Sequence, residues 1–329
     1  MKKNIALLTG GFSGEAVISY KSAATIQANL DPGLYNVYLI DIRKEGWWHT
    51  AASGIKLAID KNDFTLTLDG VKIFFDVVFI CIHGTPGEDG KLQGYFDTLG
   101  IPYTSCDAAT SAITFNKRYT VAVAAMAGIA VARSYHIFRH SFVSADAYAA
   151  ALTFPVFVKP NNGGSSIGMS KVADPADLPA AVQKAFGEDD QVLIEQMVKG
   201  REFTVGVYRS GGNIHVLPFT EVICDKDFFD FNAKYDGKTT EITPAEVTPV
   251  ILQQINETAA KIYSVFNCRG VIRIDFIYEA NEQRPYMLEV NTIPGQSEAS
   301  IIPQQVRALG MDLKVFYTTI VEEALSIKA

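Results

Sequence analysis

Paired cysteines are missing from this chain: Cys81, Cys106, Cys224 and Cys268 lie far apart, so neither a zinc-ligand spacing nor a disulfide framework can be read from them. Such scattered thiols fit a reducing cytosol, and a cytoplasmic location is expected. Long apolar runs are missing too. The run at residues 5–8, behind Met1-Lys2-Lys3-Asn4, meets Gly10-Gly11 almost at once and is too short to target or span a membrane. Positive charge is in deficit. The 29 Lys and Arg stand against 36 Asp and Glu, a net charge of −7, and no basic cluster or heptad run marks a DNA-binding helix. The expected partners are therefore small molecules, with no nucleic acid and no membrane.

What remains is a globular composition, 48% hydrophobic and 20% charged, which is too apolar for disorder and sufficient for a large core. At 329 residues the chain should divide into two or three domains. Short apolar runs alternate with amphipathic stretches through its first third, the pattern of α/β construction. Residues 5–8 read as a strand. After it Ala16, Tyr20, Ala23, Ile26 and Leu30 recur every three or four positions and predict one apolar helix face, stopped by Asp31-Pro32-Gly33. Strands follow at 37–42 and 77–82, the second feeding the loop His83-Gly84-Thr85-Pro86-Gly87-Glu88-Asp89-Gly90, whose glycine content suits part of a site.

A second unit is expected from about Ile101-Pro102, with a helix over 117–127 closed by Gly128 and a strand at 156–159. Strands at 191–197 and 203–208 should be joined by a turn at Gly200, and Gly211-Gly212-Asn213 predicts another hairpin turn into a run at 214–223. Leu252, Ile255, Ala259, Ile262 and Phe266 form the strongest helical stripe, ending at Gly270.

Residues 271–278 and 286–291, separated by a polar stretch, predict a second hairpin. Strand alternation puts Arg273 and Asp275 on one face against Ile272, Ile274 and Phe276, and Glu289 and Asn291 opposite Leu288 and Val290. A register pairing Asp275 with Glu289 brings Arg273 opposite Asn291, and this oxygen set suits Mg²⁺. A plain solvent-facing hairpin would explain those four residues by themselves. The sequel Thr292-Ile293-Pro294-Gly295 turns the reading toward an active site, because glycine allows close approach of the backbone to a ligand.

Lys159-Pro160-Asn161-Asn162-Gly163-Gly164-Ser165-Ser166-Ile167-Gly168-Met169 follows a strand and can turn donors toward phosphate, although it lacks the Gly-Lys-Ser/Thr ending of a phosphate-binding loop; a lid and a tight hairpin both fit. Gly10-Gly11-Phe12-Ser13-Gly14-Glu15 has the wrong spacing for a dinucleotide fingerprint, and Glu15 reads either as a helix cap or as a carboxylate for an ammonium group. Lys117, Lys159 and Lys234 each suit a surface position, but together they could supply cations to ATP. Residues 226–240, with Phe228, Phe229, Phe231 and Tyr235, suit a closing loop.

These segments, in this order, together with Glu202-Phe203-Thr204-Val205 and Ala233-Lys234-Tyr235, closely resemble the D-alanine:D-alanine ligases of the ATP-grasp superfamily over essentially the whole chain. The resemblance implies an α/β, three-domain ATP-grasp architecture: an N-terminal Rossmann-like domain over 1–104, a central small ATP-binding domain over 105–196 and a C-terminal catalytic domain over 197–329. It implies ligation of two D-alanines through an acyl phosphate, with ADP and phosphate as co-products, for peptidoglycan synthesis by a homodimer. Carried over, it assigns Lys117, Lys159 and Lys234 to phosphates. Glu195, Met197, Val198, Phe228 and Leu288 fall at adenine and Glu202 at the ribose. Two Mg²⁺ (or Mn²⁺) fall to Asp275, Glu289 and Asn291.

On the substrate side the resemblance gives Glu15 the first ammonium, links Glu15 to the lid through Ser165 and Tyr235, and places His83 near the first D-alanine. Arg273 and the Gly295 N–H take the oxyanion, and Ser300 and Lys234 hold the second carboxylate. Related ligases that accept D-lactate replace the tyrosine at Tyr235, so its presence favours a dipeptide. Two departures stand out: Met197 where many members have an aromatic, and Gln296-Ser297-Glu298-Ala299-Ser300 near the second substrate. The rivals are another ATP-grasp ligase, a non-catalytic nucleotide-binding regulator and, least favoured by its glycines, a nicotinamide oxidoreductase.

Overall fold

The computed structural model describes residues 2–141, 144–164, 167–224 and 239–327. The chain opens as β1 (Lys3–Gly10), α1 (Ala16–Asn29) and β2 (Tyr35–Ile42), continues through the short strands β3 (Trp47–Thr50), β4 (Lys56–Asp60), β5 (Thr65–Leu68) and β6 (Val71–Ile73), and returns as β7 (Val77–Ile80). These make one seven-stranded sheet in the order β6-β5-β4-β3-β2-β1-β7. β1 lies parallel to β2 and β7, as its α1 crossover requires. The antiparallel extension β3–β6 was not anticipated, because three- to five-residue strands carry little periodicity.

Helices α2 (Lys91–Leu99), α3 (Ala108–Phe115) and α4 (Lys117–Met126) follow. A four-stranded antiparallel sheet comes next, built from β8 (Ser134–Phe138), β9 (Val156–Pro160), β10 (Ser170–Val172) and β11 (Gln191–Gln196) in the order β10-β9-β11-β8. The short helix α5 (Ala145–Ala149) lies between β8 and β9, and α6 (Leu178–Phe186) between β10 and β11. A third sheet contains β12 (Arg201–Ser210), β13 (Asn213–Val216), β14 (Thr220–Cys224), β15 (Thr239–Ile242), β16 (Val271–Glu279) and β17 (Arg284–Asn291), in the order β15-β14-β12-β16-β17 with β13 beside β12. Its helices are α7 (Pro249–Val265), α8 (Ile301–Ala308) and α9 (Leu313–Ser326).

Two strand expectations need correction. β11 and β12 flank Gly200 but belong to different sheets, so the turn carries the chain from one sheet to the next. The run at 214–223 splits into β13 and β14 around Pro218, which has no N–H to offer β12.

The apolar clusters follow these sheets. Ile5, Leu7, Val77 and Phe79 pack with α1, α8 and α9, while Leu8, Ile80, Phe64 and Phe96 fill the opposite face of the first sheet. α7 lays Ile255, Ala259 and Ile262 against Phe203, Ile272, Ile274 and Phe276, and Cys106 and Ala124 join that core. Leu252 opens the expected stripe but stays exposed. The four-stranded sheet has its own core around α6. Among the described residues no helix is long and apolar enough to cross a membrane.

Candidate active site

The β16–β17 hairpin pairs Asp275 with Glu289 and Arg273 with Asn291, the register that brings the four polar side chains together, and a β-bulge follows Asp275. Its apolar face is locked under α7, so its polar face turns toward a cleft. There Arg273 grips Asp275 with two parallel bonds, Nε to Oδ1 at 2.9 Å and Nη2 to Oδ2 at 2.7 Å. Glu289 Oε1 lies 3.6 Å from the same Nη2 and accepts from Asn291 Nδ2 at 3.3 Å. Burial works against the Arg273 charge, but Asp275 and then Glu289 outweigh it, and the guanidinium is held protonated above its ordinary range. Two carboxylates and an amide on neighbouring strand positions form a hard oxygen set of the kind that accepts Mg²⁺.

Leu288, Glu289, Asn291 and Thr292 line this cleft together with Lys117, Glu88, Gly163 and Gly164. Lys117 stands at the first position of α4, where Asn116 caps the helix by accepting from Tyr119 N–H. Its Nζ donates to Gly163 O at 2.6 Å, and burial lowers its pKa against the opposing pull of Glu289. Lys159 on β9 pairs with Glu195 on β11 at 2.7 Å, with both side chains nearly buried, so these two expected ATP residues meet each other directly. Met197 continues from β11, its N–H donating to Pro155 O, and Val198 follows half-buried. Glu202 lies on β12 two positions before Thr204, whose hydroxyl donates to Asp275 Oδ1 at 2.5 Å.

Glu15 occupies the N-cap position of α1, as the helix-start reading expects, but its carboxylate makes no capping bond. It sits instead between two glycines. A Cβ on Gly84 would come within 3.0 Å of Glu15 Oε2, and one on Gly164 within 3.1 Å of Oε1. Gly84 also has φ +67°, a conformation that favours glycine. His83 is buried, with its N–H on Ser19 Oγ at 3.0 Å and Nε2 3.3 Å from Ser22 Oγ. Beyond the hairpin, Ser300 Oγ accepts from Ser297 N–H at 3.1 Å and lies 2.7 Å from Ser297 Oγ, and a Cβ on Gly295 would press within 2.8 Å of it. Ser165, Phe228, Lys234 and Tyr235 lie outside the described residues.

Four site residues escaped individual notice in the sequence. Glu88, read only as part of a loop, accepts from Gly84 N–H at 2.7 Å, and burial followed by the Glu15 charge pushes its pKa up to about 8. Thr204 could have been found from the same two-residue alternation that exposed Asp275. Ser19 and Ser22 occupy buried positions of α1 that an apolar stripe passes over; buried hydroxyls three residues apart were the available signal.

The pattern of the family described as "D-ala D-ala ligase N-terminus" matches residues 4–106, and that described as "D-ala D-ala ligase C-terminus" matches residues 123–322. A D-alanine–D-alanine ligase of Parabacteroides distasonis is 44% identical over 99% of this chain and 98% of its own length. One of Flavobacterium johnsoniae is 45% identical over 98% and 100%. Among solved structures, D-alanyl-alanine synthetase A of Vibrio cholerae superposes with TM-score 0.89 at 32% identity, covering 99% of both chains. The VanG D-Ala:D-Ser ligase of Enterococcus faecalis gives 0.88 at 28%, covering 98% of this chain and 100% of that one. A Bacillus anthracis D-alanine–D-alanine ligase complexed with ATP gives 0.80 at 25%, covering 99% and 98%. The protein has the ATP-grasp fold, and by these matches it belongs to the D-alanine–D-alanine ligase family.

Proposed function

We propose that the protein joins two D-alanines into D-alanyl-D-alanine, driven by ATP and releasing ADP and phosphate, as a step of peptidoglycan precursor synthesis. The observation that carries this reading is the cross-strand group Arg273, Asp275, Glu289 and Asn291, of which Glu289 and Asn291 line the same cleft as Lys117 and the glycine loop. A carboxylate oxygen of the first D-alanine attacks the γ-phosphorus, the bond to ADP breaks, and an acyl phosphate results. The amine of the second D-alanine then attacks the carbonyl, loses a proton, and phosphate departs from the tetrahedral intermediate.

Arg273 stays charged through both steps, and with the Gly295 N–H it stabilises the oxyanion. Glu15, between the two glycine loops, holds the first ammonium, with His83 beside that substrate. Ser165 and Tyr235 connect Glu15 to the lid. Ser300 and Lys234 hold the second carboxylate. Lys117, Lys159 and Lys234 bind phosphates, Glu195, Met197, Val198, Phe228 and Leu288 surround adenine, and Glu202 takes the ribose hydroxyls. Asp275, Glu289 and Asn291 would hold two Mg²⁺ or Mn²⁺ ions, which supply neutralisation of phosphate charge when bound.

Three units at 1–104, 105–196 and 197–329 are part of the same proposal, supported by one sheet in each; α4 then bridges the second unit to the core of the third. So are a cytoplasmic homodimer and a small-molecule partnership limited to ATP and D-alanine. The test is phosphate release with ATP and D-alanine, D-alanine with D-lactate, D-serine or L-alanine. Release with D-alanine alone is expected, and its absence beside release in another arm would replace the substrate assignment.

A further inference from the structure

Ser22 lies on α1 with no exposed surface, and a buried hydroxyl there needs partners of its own. It finds them on two other segments. Gln296 N–H donates to Ser22 Oγ at 3.0 Å, and His83 Nε2 lies 3.3 Å away. Gln296 is itself buried and fixed at its far end, its Oε1 accepting from Tyr317 OH at 3.2 Å and its Nε2 donating to Pro294 O at 3.3 Å. His83 is tied to α1 a second time through Ser19.

The proton positions follow from what each group can do. A backbone N–H only donates, so Ser22 Oγ keeps its own proton for another acceptor. Two are within reach: the imidazole Nε2 and the Cys81 sulfur. Thiol sulfur is a weak acceptor and imidazole nitrogen a strong one, which favours the ring. With the hydroxyl on Nε2, the stronger acceptor of the two, the single proton of the neutral ring falls on Nδ1.

We propose that Ser22 is a positioning residue that sets the Nδ1–H tautomer of His83 and couples it to the Gln296–Ser300 turn. The proposal rests on the reading above that His83 faces the first amino acid and Ser300 the second. One hydroxyl then steadies both amino-acid sites, while the ATP cleft is held by other residues. It also gives the departure at Gln296 a purpose, since this residue's N–H and side chain tie the turn to α1 and α9.

The test begins with the unaltered, full-length protein. In a ¹⁵N-histidine spectrum at alkaline pH, with the His83 signals assigned through His83→Gln, Nδ1 is expected protonated and Nε2 bare. Ser22→Ala should mix the tautomers and raise KM for D-alanine about tenfold, the scale of one lost hydrogen bond, with KM for ATP unchanged. Ser22→Thr, which keeps the hydroxyl, should restore both. A bare Nδ1 in the unaltered protein, or an equal rise of both KM values in Ser22→Ala, overturns the proposal. Because the spectrum needs no turnover, failure to ligate D-alanine would sink the functional reading and leave this result standing.

Discussion

The β16–β17 hairpin and the loop behind β9 line the same cleft but are held by different means. The hairpin is paired to β12, backed by the α7 core, and carries its charges in a closed set of bonds among Arg273, Asp275, Thr204 and Glu289. The four-stranded sheet has a separate core, and its ties to α4 are polar: Lys117 N–H to Asn161 O at 3.1 Å, Arg118 N–H to Asn161 Oδ1 at 2.9 Å, and Lys117 Nζ to Gly163 O. The difference separates two tasks. On the proposed function, groups that meet developing charge would sit where their geometry is over-determined, whereas groups that cover a nucleotide would sit on a unit joined through a few directional bonds.

Breaking the hairpin side should have the largest effect. Asp275→Asn strips a buried guanidinium of its bidentate partner, and phosphate release should fall by roughly 100-fold or more. Urea unfolding should show a loss of about 3 kcal/mol, near the lower end for breaking a buried ion pair. A variant with full activity would show that Arg273 does not depend on Asp275.

On the polar-tie side the effect should be smaller and of another kind. Asn161→Ala removes the acceptor for Arg118 N–H, with an expected stability loss of about 1 kcal/mol. KM for ATP should rise about tenfold while kcat changes less, and Asn161→Asp, which keeps an acceptor, should recover most of it. Equal changes in kcat and KM would mean that the two regions are not separable in this way.

The third effect is a slope and not a step. Burial and the Glu15 charge keep Glu88 protonated in the folded chain up to about pH 8, while the unfolded chain releases that proton in the ordinary carboxylate range. The folded state therefore binds more protons between about pH 5 and 8, so this contribution to stability declines as pH rises through that window and levels off above it. Glu88→Gln should flatten the decline in metal-free protein followed by thermal melting. An unchanged slope would place the titration elsewhere.

The hairpin and its faces were legible because two-residue alternation in Ile272 to Phe276 and in Leu288 to Asn291 excludes any one-residue slip, and the pairing of Asp275 with Glu289 is among the registers that remain. β11 and β12 were legible as strands but not as members of different sheets, since local alternation carries no information about which edge a strand joins. Ser22 and Glu88 were hidden for a related reason. A polar residue on a buried helix face or in a loop looks like any other until its partner, here His83 and Gly84, is brought to it.

Amino-acid order alone determined the α/β character, the helices α1, α4 and α7, and the strand faces shared by Arg273 with Asp275 and by Glu289 with Asn291, because each depends on neighbours a few residues apart. The tertiary structure alone decided that Arg273 is spanned by two carboxylates, that Lys159 meets Glu195, that Glu88 holds its proton, and that Ser22 joins His83 to Gln296. Those outcomes depend on desolvation and on distances between segments up to 274 residues apart, quantities that exist only once the chain has closed on itself.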